Sequence, residues 1–524
     1  MKFWTRRPLA AGRAGTVFAV WPAPGRRCRD GRIRRIAAKL PVLLVAVVLA
    51  GAAGIPASAS VPASGAVPGW SVTRSPNPVI PTGQLLWVSC PGANSCVAVG
   101  TYVKASGAGV TLAERWNGSK WRIQPIPSPP GAAWSNLLGV SCVSPSACEA
   151  VGITTSRSGA NKTLAERWNG SRWQLQATPS PAGSSQLIGV SCTSPSACTA
   201  VGGTSLGRTL AERWNGSSWQ IQSAPSPAGA FLSGVACTSS AACTAVGGSS
   251  TGTLAERWDG TTWSTQATPN PPQGGGALFA LACSSPSACT AVGKSNSGNL
   301  AERWNGTSWS IQPTFQPAPA GPNAGLNGVA CTTATACTAV GNRTLVKTLA
   351  ERWNGRTWHV QTTPNPSGGQ TITLAGVACP ARTVCTAFGL NLTGSGPLTL
   401  AERWSGGRWR IQPTPGLVAY DIGFPGVACP TPSACYAVAS YTNNGPSLTL
   451  VERWNRTGMS TQAATGRPMA SGALPHACLG ARMPGSFPIR GRIPAAAWSR
   501  FRAGSFLGGA GSPSPANRIW CGAG

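Results

Sequence analysis

Across residues 70 to 463 the chain alternates short apolar runs with tight interruptions rich in Gly, Pro, Ser and Asn. The runs are too short for helices, and short runs bounded by turn residues predict β-strands. Residues 186 to 222 serve as the example and predict four strands: Leu187 to Cys192, Cys198 to Gly202, Thr209 to Trp214 and Trp219 to Gln222. Ser194-Pro195-Ser196 separates the first two, a Gly/Ser loop the second and third, and Asn215-Gly216 the last two. Asn-Gly is a strong hairpin signal because both residues tolerate positive φ.

This succession recurs along the chain. Glu-Arg-Trp begins at Glu114, Glu166, Glu212, Glu256, Glu302, Glu351, Glu402 and Glu452, at spacings of 44 to 52 residues. Ahead of each stands a cysteine pair with five residues between: Cys90/Cys96, Cys142/Cys148, Cys192/Cys198, Cys237/Cys243, Cys283/Cys289, Cys331/Cys337, Cys379/Cys385 and Cys429/Cys435, sixteen of the nineteen cysteines. The predicted fold class is therefore all-β, a β-propeller of eight four-stranded blades. The first strand of each blade, mostly small residues, suits the place where blades converge on a channel.

Trp70-Ser71-Val72-Thr73-Arg74-Ser75-Pro76 matches a fourth strand, as in Trp121-Arg122-Ile123-Gln124-Pro125, with no first three strands before it. The last repeat, in turn, has Met459 where its second Trp should stand. A ring closed by the N-terminal strand explains both and removes an unpaired edge. The alternative is that residues 459 to 463 form the last strand.

Three domains follow: residues 1–59 as a signal peptide or membrane anchor, 60–465 as the propeller, and 466–524 as a Gly/Pro/Arg-rich tail expected to be disordered. Basic residues up to Lys39 precede the apolar run Leu40 to Ala53, and Ala57-Ser58-Ala59 fits a cleavage site after Ala59. The alternative is an uncleaved anchor, which would be the only membrane contact. The net charge of +30 is uneven: residues 60 to 458 hold 24 basic and 11 acidic side chains, without a Lys-rich run to track phosphates. No nucleic-acid partner is expected.

In an exported chain the cysteine pairs are expected as disulfides across each first hairpin. Zinc is disfavoured because its paired ligands prefer closer spacing and the chain has two His; no metal and no cofactor is expected. The Trp pairs, such as Trp116/Trp121 and Trp304/Trp309, are expected to pack between blades, with sugar stacking as the alternative. Neighbouring Glu and Arg on a strand point to opposite faces. Inter-blade ion pairs are therefore expected among Glu114, Arg115, Glu166, Arg167, Glu212, Arg213, Glu256, Arg257, Glu302, Arg303, Glu351, Arg352, Glu402, Arg403, Glu452 and Arg453.

With the repeat Glu residues and Asp30 set aside, only Glu149, Asp259 and Asp421 remain as carboxylates, with His359 and His476 as imidazoles. Neither the two-carboxylate arrangement of a glycosidase nor a hydrolytic triad is marked among them, so no catalytic residue is assigned.

Trp258-Asp259-Gly260-Thr261-Thr262-Trp263 resembles the Asp-box turn of bacterial neuraminidase-type repeats, and the repeat as a whole is similar to kelch-like blades. Leu-Ala-Glu-Arg-Trp-Asn-Gly together with the paired cysteines resembles secreted repeat proteins of actinobacteria, to which no activity is assigned. The resemblance covers residues 70 to 463 and implies a propeller. It lacks the leading Ser of the Asp box, and no motif here matches the arginine cluster of neuraminidases, so it implies no sialidase activity.

The expected function is a secreted or cell-surface, non-catalytic binding scaffold for an extracellular protein or glycan. The alternatives are a carbohydrate-active enzyme, a glycosidase or lyase, and a purely structural envelope protein. Any ligand is expected at the loops between second and third strands, such as Thr101 to Gly109, Ile153 to Asn161 and Asn391 to Leu398, whose lengths differ between blades.

Overall fold

A computed structural model of the chain describes residues 69–73, 75, 82–271, 274–316, 324–344, 346–415, 426–441 and 447–455. The expected signal segment, the tail, residues 459 to 463, Asp421 and His476 lie outside the described residues, as do Cys28, Cys478 and Cys521. Among the described residues there is no helix, and hence none that could cross a membrane.

The example repeat forms strands Ser185–Ser194, Ala197–Thr204, Thr209–Trp214 and Trp219–Gln222, paired antiparallel in chain order. The first two are longer than expected, and the same holds elsewhere. Strands Ser95–Val103 and Gly109–Trp116, Ala147–Ser156 and Asn161–Trp168, and Val384–Thr393 and Gly396–Ser405 take in part of each expected loop, leaving turns at residues 104–108, 157–160 and 394–395. The cause is continued ladder pairing: Thr101 pairs with Thr111, Ile153 with Thr163 and Asn391 with Leu398. Length variation between these hairpins is taken up by paired strand rather than by loop.

The strands assemble into six four-stranded sheets and one of eight, the latter being two successive blades joined by the single pairing of Gly248 with Ala277. Strand Gly69–Val72 pairs with Leu448–Asn455, setting Trp70 opposite Trp454 in the register that Trp116 and Trp121 adopt within their own hairpin. The first strand of each blade packs beside that of the next, and strand Gly83–Gly92 packs against Val427–Thr431 and Ala434–Tyr441 of the last sheet. Repeated four-stranded blades arranged in this way make a β-propeller.

Alternation of apolar and polar positions is weak in the middle strands because both faces of a blade are covered by neighbours. Ala197–Thr204 is buried along almost its whole length, whereas the outermost strand Trp219–Gln222 buries only its Trp. Each interface sets small side chains against large ones: Val201 and Ala211 of one blade meet Leu232, Leu254, Trp258 and Trp263 of the next. The last blade meets the first in the same way through Val438 and Val451, which face Leu85, Leu112, Trp116 and Trp121, with the large Tyr436 added to the contact.

The recurrent Ala-Val-Gly of the second strand has a steric cause. A Cβ on Gly202 would lie 2.0 Å from the Gln186 carbonyl oxygen, beside a bulge in the first strand between Leu187 and Gly189.

Candidate binding face and the frame that holds it

The cysteines of each pair are bonded across the hairpin between first and second strands: Cys90–Cys96, Cys142–Cys148, Cys192–Cys198, Cys237–Cys243, Cys283–Cys289, Cys331–Cys337, Cys379–Cys385 and Cys429–Cys435, with Cα atoms 4.0–4.1 Å apart. Eight such bonds suit an oxidising compartment.

The expected bonds across each hairpin are present, and the second cysteine of each pair also lies against the neighbouring blade. Cys96, Cys148, Cys198, Cys243, Cys289, Cys337, Cys385 and Cys435 are buried, at most 3% exposed, so these sulfurs are closed off from solvent, whereas their first-strand partners are only partly buried. Five of them take a threonine of the preceding blade: Cys243 Sγ lies 3.4 Å from Thr199 Oγ1, Cys289 Sγ 3.7 Å from Thr244 Oγ1, Cys337 Sγ 3.5 Å from Thr290 Oγ1, Cys385 Sγ 3.4 Å from Thr338 Oγ1 and Cys435 Sγ 3.4 Å from Thr386 Oγ1. A bonded sulfur carries no proton, so the hydroxyl donates. The disulfides thus belong to the contact between blades as well as to the hairpin, because the second strand lies in the covered middle of its sheet.

Arginines of the Glu-Arg-Trp units reach forward to the next blade. Arg213 lies 4.4 Å over the Trp258 ring and donates from Nη2 to the Ser240 carbonyl, within the next blade's disulfide hairpin, at 2.8 Å. Trp258 Nε1 donates to the same carbonyl at 3.3 Å. One backbone oxygen thus holds both the indole and the guanidinium stacked on it, a cation–π pair contributing about 1–2 kcal/mol where partly desolvated. The shared oxygen recurs at Pro145 for Arg115 and Trp168, and the stacking alone recurs up to Arg403 over Trp454, with Arg453 of the last blade over Trp116 of the first.

The glutamates reach backward. Glu402 accepts from Thr348 Oγ1 at 3.0 Å, Glu452 from Thr399 Oγ1 at 2.7 Å, and Glu351 from the Phe315 N–H at 3.1 Å, each in the preceding blade. Glu114 of the first blade takes the hydroxyls of Ser75 and, in the last sheet, Thr449. Glu166, Glu212, Glu256 and Glu302 face Thr111, Thr163, Thr209 and Thr253, but their carboxyl oxygens make no direct hydrogen bond among the described residues. Burial pushes all eight up, to about 7 for Glu114, Glu256, Glu302, Glu351 and Glu452 and to about 8 for Glu166, Glu212 and Glu402; the facing hydroxyls, or at Glu351 the Phe315 N–H, offset this only in part.

The expected ion pairs are therefore corrected. Glu114, Glu166, Glu212, Glu256, Glu302, Glu351, Glu402 and Glu452 do not meet Arg115, Arg167, Arg213, Arg257, Arg303, Arg352, Arg403 and Arg453 across the blade interfaces. Side chains do alternate between faces as expected, but register decides the partners. Where the second and third blades meet, Thr163 and Arg167 share one face and Glu212 and Trp214 the other, with Glu facing Thr and Trp facing Arg. Thr163 and Arg167 are four residues apart on a strand, about 13 Å, so the carboxyl stays out of reach of the guanidinium.

The remaining ionisable candidates are also tied to the frame. Glu149 stands where five other blades carry Thr199, Thr244, Thr290, Thr338 or Thr386, and its Oε1 takes Arg167 Nη1 at 2.6 Å, the one ion pair found among the described residues. It lines a shallow depression with Arg167, Cys192, Pro195 and Cys198 that has no room for a water molecule. Asp259 is exposed, and its Oδ1 accepts the N–H groups of Thr261 and Thr262 at 2.8 Å, which hold its carboxyl well below the usual carboxylate range. Asn215 does the same for Ser217 and Ser218, so these turns are closed by a side-chain acceptor as well as by Gly216 at φ 98°. His359 Nε2 lies 2.8 Å from Asn354 Nδ2 and 2.9 Å from Thr357 Oγ1 in an exposed hairpin. No group of three His, Cys, Asp or Glu comes together among the described residues.

Two tryptophans stand apart from the rest. Of the eighteen in described segments, sixteen form the repeat pairs, with ring centroids of the hairpin pairs 5.9–6.0 Å apart, and they are buried, Trp404 only partly. Sugar stacking on the repeat indoles is closed off by this burial. Trp87 and Trp134 belong to no repeat position and are 46% and 38% exposed. Sequence reading passed over both; their signal was position outside the repeat pattern. Trp87 occupies a first-strand column that is Gly139, Gly189, Gly234 and Gly328 in other blades.

Trp134 stands on the face where second and third strands meet. A Cβ on Gly109 would lie 2.2 Å from its ring, so one side of the indole rests on that glycine. Gly109 pairs with Val103, next to exposed Lys104, and Trp134 pairs with Thr155, two residues before exposed Arg157. Lys162, also exposed, pairs with Thr154. On this face a hairpin can join the incoming strand of the next blade through a backbone bond, as where Ala230 N donates to Gly207 O at 2.9 Å.

No protein-family model matches the chain, and no curated protein matches it. Solved structures are similar in fold. Sqt1 of Saccharomyces cerevisiae is 11% identical, over 74% of this chain and 99% of its own, with a TM-score of 0.47. Sqt1 of Chaetomium thermophilum, bound to the N-terminus of ribosomal protein L10, is 12% identical over 71% and 97%, with a TM-score of 0.46. YCF48 bound to a D1 peptide is 14% identical over 61% and 93%, with a TM-score of 0.40. No partner or activity is carried over from them.

Proposed function

We propose that this chain is a secreted, eight-bladed propeller, closed by its N-terminal strand, that acts as a non-catalytic scaffold for an extracellular protein or glycan. One observation carries the reading: the side chains that recur in every blade are turned toward neighbouring blades. Cysteines staple hairpins, Glu reaches backward, Arg and Trp lock forward, and the positions left to vary between blades are those of the hairpin face. Glu149, the nearest to a spare acid, is buried against Arg167. The paired cysteines support export.

The test is titration of the full chain, recovered from culture medium, against glycan and envelope-protein panels, with product analysis of every ligand that binds. A ligand that binds and is recovered unchanged supports the scaffold. A ligand that is converted, with conversion abolished in Glu149→Gln, overturns it in favour of a carbohydrate-active enzyme.

A further inference from the structure

The repeat frame makes exceptions conspicuous, and those with exposed chemistry collect in the first two blades. Trp134 is exposed where five other blades carry Thr82, Ser184, Gly229, Gly275 and Thr371, the remaining two having Asn323 and Asp421 in sequence, outside the described residues. It serves no blade interface of the repeating kind. Lys104 stands on one side of it and Arg157 and Lys162 on the other, within two residues along the paired strands. Exposed hydroxyls of Ser156 and Ser158, 2.8 Å apart, edge the same hairpin.

Every described carboxylate is accounted for elsewhere. The eight repeat Glu and Glu149 are buried, and Asp259 closes a turn between third and fourth strands, at the opposite end of its blade. Among the described residues this surface therefore offers an aromatic face, cations and hydroxyls without an acidic acceptor. A neutral sugar is held best by charged acceptors for its hydroxyls, which are missing here, whereas an acidic sugar needs cations, which are present.

We propose that the surface around Trp134 binds an acidic glycan, a carboxylated or sulfated polysaccharide, with a sugar ring on the indole and its anionic groups paired with Lys104, Arg157 and Lys162. This deepens the scaffold reading and rests on it. A nucleic acid would use the same cations. The glycan is favoured because the cations form a short cluster about a single indole, not a track for successive phosphates, and because the disulfides mark an oxidising compartment.

The experiment is equilibrium binding of the full chain to polygalacturonate, dextran and poly(dT) at about 50 mM salt and above, where charge-driven affinity falls with salt. Polygalacturonate is expected to bind and dextran not to bind. Trp134→Ala is expected to weaken binding about tenfold, as loss of one stacking platform does. The double substitution Lys104→Ser with Arg157→Ser is expected to weaken it by roughly 3- to 10-fold, as two exposed charge contacts do. Arg408→Ser with Arg410→Ser, near the opposite end of a distant blade, should leave it unchanged.

Three results would overturn the inference: unaltered binding by Trp134→Ala with an unchanged melting profile, equal binding of dextran, or poly(dT) binding as tightly with Arg408→Ser/Arg410→Ser weakening both polyanions. Absence of all binding would also overturn it while leaving a protein-binding scaffold standing. New reducing ends in polygalacturonate would instead remove the scaffold reading itself.

Discussion

Replacing Glu212 by Gln removes one ionisable group from the buried carboxyls between blades while keeping its size. Glu212 is fully buried, faces Thr163 and makes no direct hydrogen bond through its carboxyl oxygens. Burial raises it from 4.5 to about 8. Between those values the folded chain holds a proton that the unfolded chain has released, so stability falls by about 1.4 kcal/mol per pH unit, or about 5 kcal/mol in all. This contribution is complete below about pH 4.5 and gone above about pH 8. Gln cannot ionise, so Glu212→Gln should match the parent chain within about 1 kcal/mol near pH 5 and exceed it by several kcal/mol, on the order of 5 at most, near pH 9. Urea unfolding under non-reducing conditions at both pH values measures the difference. The other seven repeat Glu residues titrate in both proteins, so the widening gap between them isolates this group. A variant equally destabilised at both pH values would refute the reasoning, for it would mean that Glu212 is ionised in the folded chain and held by Thr163.

Trp70→Ala, which empties a fully buried site opposite Trp454 and 5.6 Å from Phe388, should cost about 3–5 kcal/mol. An unchanged unfolding midpoint would deny the N-terminal strand its role in the last sheet. Gly202→Ala should cost at least about 3 kcal/mol because its Cβ meets backbone at 2.0 Å, whereas Gly234→Ala, with nothing nearer than 3.7 Å, should stay within about 1 kcal/mol. Similar losses in the two thermal melts would contradict the steric account. Replacing Cys192 and Cys198 together by Ser should cost about 2 kcal/mol, the loop-closure term for so short a loop. Equal chemical stability of parent and variant in oxidising buffer would show that the bond adds nothing.

How much was legible follows the distance between interacting residues. The strands Thr209–Trp214 and Trp219–Gln222 coincide with their expected bounds because Trp214, Asn215, Gly216 and Trp219 specify that hairpin locally. The cysteines that bond are six positions apart, whereas the threonine that each of Cys243, Cys289, Cys337 and Cys385 meets lies 44 to 47 positions away and left no local mark. The segment at Trp70 could be matched to a fourth strand because a sixteenth repeat Trp was missing from the other end. Hairpin lengths were misjudged because Gly and Ser read as loop, although continued ladder pairing keeps Thr101 to Val103 and Ile153 to Ser156 in strand.

Residue order along the chain by itself determined the repeating strands, the local hairpins and disulfide pairs, and the opposite facing of Glu and Arg, since each depends on neighbours a few residues away. Only the tertiary structure decided that Glu212 meets Thr163 and Arg213 meets Trp258, partners 49 and 45 residues apart whose match depends on how one sheet slides against the next. It also decided that sixteen indoles are covered while Trp87 and Trp134 stay open. Alternation along a strand fixes which face a side chain takes, but which residue stands opposite is set by packing between blades, Leu and Trp seated against Val and Ala.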